Sequence, residues 1–242
     1  MSILIGLGTL LILIIVVFRI AQKDRKEEEL KQRHKESLQA EASQYSKHIN
    51  ESLQIMGKTK NLETLKSRFE FTLQRIEDME SLISRGYDGS ETNPMAFRNS
   101  VELAFNERLV EMAKQEYDKI MIKKDSYATL SSALNGLTKA SQKIAELKLM
   151  IYQLEHSGKM AGESIDLLIE NISKQIVFGK VKDLIEKIQK EQMKDNTKKV
   201  KDYKVELQFL LKQENIIFDE NLFSQDWEKS QTSDLLKLIE LA

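Results

Sequence analysis

The sequence predicts an all-α protein: an N-terminal single transmembrane helix continues into a charged helical stalk, followed by an antiparallel helical bundle or helical hairpins with coiled-coil-like packing. Three observations predict it. The 242 residues contain one proline, Pro94, and nine glycines, two of them (Gly6 and Gly8) within the opening apolar run, so little interrupts long helices. Aromatic residues make up only 7%, too few for a typical sandwich or barrel. Beyond Gly57, apolar residues recur at spacings of three and four, the period of one helix face. Charged residues at 31% and apolar residues at 41% suit a folded body and exclude a disordered polyampholyte.

The first element is the apolar run. Ile3, Leu4, Ile5, Leu7, Leu10, Leu11, Ile12, Leu13, Ile14, Ile15, Val16, Val17 and Phe18 are broken only by Gly6, Gly8 and Thr9, with no charge among them. At bilayer-centre values, thirteen such side chains favour insertion by about 4 to 8 kcal/mol. As a helix, residues 1–21 reach about 30 Å, one hydrocarbon thickness. No basic residue precedes the run and no A-x-A pattern closes it, so it is expected to stay attached and not to be cleaved as a leader. Arg19, Lys23, Arg25 and Lys26 flank the C-terminal side, against only the terminal amine on the other. The positive flank stays inside, which predicts an outside N-terminus and a cytoplasmic body at a cell membrane, of bacterial inner-membrane type. Ser2 and Gly6 form a small-xxx-small spacing able to support helix pairing.

The second element, residues 22–57, is expected to be a solvated helical spacer. Up to Gln44 its only apolar members are Leu30, Leu38, Ala40 and Ala42, while Glu27–Lys31 and Glu29–Arg33 have the favourable i, i+4 order.

Residues 58–242 form the third region, read as one helical body with no internal boundary. Leu62, Leu65, Phe69, Ile76, Met79 and Ile83 mark a helix stopped by Gly86. Asn93 and Pro94 read as the cap and first turn of the next, faced by Phe97, Val101, Phe105, Leu109 and Met112. Asp125 or Ser126 is expected to open a helix running through Leu154, ended by a turn at Gly158 and Gly162. Ile165 to Ile188 make the next, with Gly179 as its weak point, and Thr197 to Gln213 another. Ser233 is suited to cap a last short helix.

Charge is uneven although the net is −1. From Lys180 to Lys204 nine lysines face five acids, and from Glu206 to Ala242 eight acids face three lysines; the two segments are expected to pair within the fold. The lysine-rich segment 180–204 also raises peripheral contact with nucleic acid or anionic lipid as an alternative function. All eight arginines lie at or before Arg108, however, and only Phe178 and Tyr203 stand near the segment as aromatics, so neither bidentate base reading nor a stacking platform is present. Nucleic acid is therefore an unfavoured partner.

No chemistry-bearing motif emerges. Cysteine is absent, which excludes disulfides, thiolate metal sites and cysteine nucleophiles. His34, His48 and His156 lack Glu-x-x-His or H-E-x-x-H settings, and the glycines around Lys159 lack Walker spacing. Glu102, Glu107 and Glu111 beside Arg98 and Arg108 read as a solvated charged face. No cofactor, metal or small-molecule substrate is inferred, and an enzyme of unrecognised type is the third class of function. Trp227, the only tryptophan, reads as a packing anchor of the C-terminal segment or as a partner contact.

A charge-poor start, one span, a basic flank, a charged rod and amphipathic helices make a layout similar to that of bacterial membrane tethers such as division-ring anchors and the ATP synthase b-type stalk. The similarity is architectural and assigns no residue. It implies a noncatalytic scaffold whose partners are the bilayer, other proteins and further copies of itself.

Overall fold

The structure, a computed structural model, describes residues 2–89, 92–152 and 157–213; the side chains of residues 2–17, 20 and 213 lie outside that description. The described chain is helical throughout, without strands: α1 (Ser2–Lys58), α2 (Leu62–Ser84), α3 (Pro94–Lys123), α4 (Leu130–Lys148), α5 (Ser157–Gln192) and α6 (Thr197–Gln213), with a 3-10 turn at Lys124–Ser126. It forms two compact units, Met1–Phe105 and Asn106–Ala242, and the division falls inside α3, within the region read as one body without a boundary.

In the first unit α1 and α2 make an antiparallel hairpin. Leu38, Ala42, Ile49, Ser52 and Met56 of α1 are buried, with Tyr45 half-buried between them, and so are Leu65, Phe69, Thr72, Ile76, Met79 and Leu82 of α2. Alternating steps of four and three keep one stripe of each helix on the seam, as in a coiled coil. Small residues at Ala42 and Ser52 let the helices approach closely. The stalk expected over residues 22–57 is therefore solvated only up to about residue 37; from Leu38 on it is part of the core. The apolar stripe there is diluted by alanine, serine and tyrosine, which is why composition read it as solvent-facing.

Local chemistry sets the ends of α2. The Asn61 side chain accepts a hydrogen bond from the Thr64 amide at 2.9 Å, capping the helix start. At the other end Gly86 adopts φ 101°, the Gly86 amide donates to Ile83 O and the Tyr87 amide to Leu82 O. That is a Schellman closure, and its usual apolar contact is present because Tyr87 packs with Leu82, Leu38 and Ala42. Asn93 caps α3 through Oδ1, which accepts from the Met95 and Ala96 amides, with Pro94 in the first turn. The Phe69 and Phe105 rings stack at 4.1 Å between centroids, joining the start of α3 to the hairpin.

The second unit is organised on α5. Its buried residues change face part-way. Ala161, Ile165, Ile172 and Gly179 lie on one side, and Val181, Leu184, Ile185 and Ile188 on the other. Nine residues at 100° each separate Ile172 from Val181, half a turn off. The first side receives α4: a Cβ placed on Gly179 would stand 2.7 Å from Leu134 Cδ2, and Lys148 at the end of α4 pairs with Asp166 at 2.6 Å. The second side receives α6, whose Val200, Leu207 and Leu211 close a core with Val181, Leu184, Ile185 and Ile188. Gly179 is thus a point of close helix contact within an unbroken α5, not a break. Gly158 and Gly162, expected to mark a turn, lie inside α5 as well.

Other boundaries moved. α4 is capped by Thr129, whose hydroxyl accepts from the Ser132 amide, and Asp125 and Ser126 instead form the preceding 3-10 turn. α4 ends at Lys148, short of Leu154. The expected helix over Thr197–Gln213 is α6. Residues 214–242, with Ser233, Trp227 and the acidic segment beyond Gln213, lie outside the described residues, as does His156.

Candidate interaction surface

Among the described residues no three His, Asp or Glu side chains are placed to hold a metal ion. A hollow lined by Glu51, Gln54, Ile55 and Lys58 of α1 and by Thr59 just beyond it is open to solvent. It lacks the convergent polar groups that an enclosed ligand site needs.

The polar residues singled out by sequence are held for packing. His34 Nε2 lies 3.4 Å from Arg85 O, and Arg85 in turn grips Glu41 at 2.9 Å, while Lys35 meets Asp88 at 3.6 Å. These contacts latch the end of the hairpin where α1 enters it. His48, read as preceding the body, is within the packed part of α1; its ring lies 6.4 Å from that of Phe71, and its Nδ1 is buried without a hydrogen-bond partner among the described residues. The Arg75 guanidinium lies 5.0 Å from the Phe71 ring centre and 5.9 Å from that of Tyr45, with Asp78 at 2.9 Å.

The acidic face expected at Glu102, Glu107 and Glu111 is only partly solvated. Glu107 and Glu111 are exposed, but Glu102 is buried, and burial pushes its carboxyl above the ordinary glutamate range against the lowering pull of Arg98. Arg98 also reaches Glu80 at 3.5 Å. In the second unit Arg108 is buried and pairs with Glu111. Asn106, fully buried and not singled out by sequence, clamps the segment after α4: its Nδ2 donates to Tyr152 O at 2.8 Å and its Oδ1 accepts from the Tyr152 amide at 2.9 Å. A clamp of this kind is invisible to periodicity because it joins positions 46 residues apart.

The lysine-rich segment is folded into the α5–α6 hairpin and partly neutralised there. Lys187 bonds Asp183 at 2.6 Å; that hydrogen bond raises its pKa, and its Nζ lies 5.8 Å from the Tyr203 ring centre. At the turn, Glu191 accepts from Lys194 and from the Asn196 side chain, each at 2.8 Å, and these bonds, the lysine's first, hold its carboxyl below the ordinary range. Asp195 takes φ 55° to close this turn.

No protein-family model, curated protein or solved structure matches the chain.

Arg19, Lys23, Arg25 and Lys26 lie exposed on α1, immediately after the apolar run. Of the span expected over residues 1–21, only the side chains of Phe18, Arg19 and Ala21 are described, all exposed; among the described residues no helix is long and apolar enough to cross a membrane. On α6, Val205 and Phe209 are 60% and 68% exposed, one turn apart on the side opposite Leu207 and Leu211. Sequence reading missed this pair. Its signal was present, because the stripe Val200, Tyr203, Leu207, Leu210 leaves Val205 and Phe209 with no place in the core.

Proposed function

We propose that this chain is a noncatalytic, membrane-anchored adaptor that holds a helical body at the cytoplasmic membrane face for protein partners, further copies of itself included. The observation that carries the reading is the continuity of α1. One unbroken 57-residue helix starts in the apolar run, passes the basic flank and becomes part of the hairpin core from Leu38 on. A helix shared by span and body transmits position without a flexible joint. The exposed segment between the expected span and Leu38, residues 22–37, is about 24 Å long at helical rise, so the body would stand close to the lipid headgroups. The four basic residues at its start favour a cytoplasmic body.

The Val205–Phe209 pair on the outside of α6 offers partners an apolar contact one helical turn long, suited to an amphipathic helix. Lys198, Lys201 and Lys212 outnumber Asp202 beside it, which favours one with acidic flanks.

Mild crosslinking in cells followed by purification of the detergent-solubilised chain tests this reading. A reproducible protein partner or a crosslinked copy is expected, and Val205→Asp with Phe209→Asp should remove the partner while leaving helicity intact. Recovery of neither partner nor copy contradicts the adaptor.

A further inference from the structure

The turn between α5 and α6 carries an apolar side chain for which the fold has no use. Met193 follows the last residue of α5 directly and is 88% exposed. Lys190, Lys194, Lys198 and Lys199 flank it, all exposed. Between Lys190 and Lys199 the only acids are Glu191 and Asp195. Glu191 is buried, its carboxylate accepting from Lys194 and Asn196, so Asp195 alone offers negative charge to solvent at this tip. Lys190, Lys198 and Lys199 form no ion pair among the described residues.

Two comparisons within the molecule set the tip apart. Ile122 on α3 is 82% exposed and also has lysines for neighbours, but those are engaged. Lys119 meets Glu116 at 3.8 Å, Lys123 lies over the Tyr127 ring and Lys124 donates to Gln175 at 2.7 Å. The second comparison is between helix starts. α2 has Glu63 in its first turn, the sign that suits the positive end of a helix, whereas α6 starts with Lys198 and Lys199 and no acid. These two lysines oppose the helix they begin, so their charge serves something outside the fold. Nucleic acid suits the tip poorly. The only arginine of the second unit is the buried Arg108, and Lys187 already lies 5.8 Å from the centre of the Tyr203 ring, which leaves no free aromatic at the tip for a base. A headgroup layer needs neither. Lysines meet its phosphates as point charges, and an apolar side chain among them reaches the acyl boundary.

We infer that the α5–α6 tip docks on anionic phospholipid headgroups, with Lys190, Lys198 and Lys199 on the phosphates and Met193 entering between them. The contact uses the end of the helical hairpin and leaves Val205 and Phe209 on its side for protein partners. It rests on the membrane-anchored reading only for the nearness of lipid.

The chain has no cysteine, so Met193→Cys gives a single labelling site. A bimane attached there is followed in the full chain, in nanodiscs of phosphatidylcholine alone or of phosphatidylcholine with phosphatidylglycerol. With phosphatidylglycerol its emission is expected to shift to the blue and to resist acrylamide quenching; without it, or in high salt, both signals should be absent. At about fivefold per lysine, adding Lys190→Glu and Lys199→Glu should weaken docking by about 25-fold or more and return the label to its phosphatidylcholine value, with helicity unchanged. No shift with phosphatidylglycerol overturns the inference, as does an equal shift in both kinds of disc or a shift that survives the two charge reversals. Stronger protection by single-stranded DNA than by phosphatidylglycerol overturns it too, and assigns the tip to nucleic acid. Co-elution of chain and disc is scored separately and reports the anchor. A chain that stays outside the discs is mixed with vesicles of the same two compositions, so the lipid contact is tested whether or not the anchor holds.

Discussion

The α1–α2 hairpin and the α5 hub solve the same burial problem differently. In the hairpin each helix keeps one stripe, repeated in steps of four and three from Leu38 to Met56 and from Leu65 to Leu82. One partner per helix is enough, and the seam tolerates serine and threonine because the register repeats. In α5 the buried stripe reverses between Ile172 and Val181, so two neighbours, α4 and α6, sit on opposite sides of one helix. The difference teaches that a helix with a constant face is robust but closed. A helix that switches faces depends on one close contact, at Gly179, and leaves unfilled surface beside each neighbour.

The sharpest break falls in the hairpin. Ile76 is fully buried on the seam, so Ile76→Asp places an unpaired carboxylate in the core and should cost at least about 4 kcal/mol. Hydrogen exchange should then lose protection over α1 beyond residue 38 and over α2. Ile83→Asp, at a 46% exposed position two turns away, should change stability within about 0.5 kcal/mol.

Next in size is the pivot of α5. A β-branched side chain at Gly179 meets Leu134 and Leu130, so Gly179→Val should cost about 1 to 3 kcal/mol in urea unfolding, and adding Leu134→Ala should recover part of it. Nothing lies within 4 Å of a Cβ at Gly162 on the same helix, where Gly162→Ala should stabilise by up to about 1 kcal/mol. Equal signs for the two glycines would remove the distinction between pivot and ordinary helical position.

Much of this was legible and some was not, for physical reasons. The helical class, the stop at Gly86 and the Asn93–Pro94 start were readable because each depends on local chemistry within a few residues. The seam on α1 was hidden because Ala42, Tyr45 and Ser52 carry little apolar signal, and only the opposing α2 stripe gives them a core to fill. The continuity of α5 was hidden by three glycines. Tertiary packing accounts for two of them: Gly158 is buried, and at Gly179 a Cβ would press on Leu134 of the neighbouring α4. Capping by Thr129 in place of Asp125 turned on which hydroxyl reaches an amide, a choice that several nearby polar residues left open.

Smaller effects should come from the α5–α6 turn. Because Glu191 titrates below the ordinary glutamate range when folded, its contribution is present above the unfolded value and is lost as pH falls through the folded one. Glu191→Gln should therefore lower the thermal midpoint at neutral pH, and the two curves should converge in strong acid. A gap that persists in acid would mean that the carboxylate's charge is irrelevant there.

The smallest effect belongs to the hairpin latch. Arg85 and Glu41 are both partly exposed at 2.9 Å, and a double-mutant cycle with alanine should give a coupling below about 1 kcal/mol that shrinks with salt.

The tether itself is tested most directly by fractionating cells that express the full chain and washing the membranes with alkaline carbonate. The account predicts that the intact chain stays in the membrane pellet, and that Leu11→Arg with Ile14→Arg releases it. Intact, unaltered chain in the carbonate supernatant would contradict it.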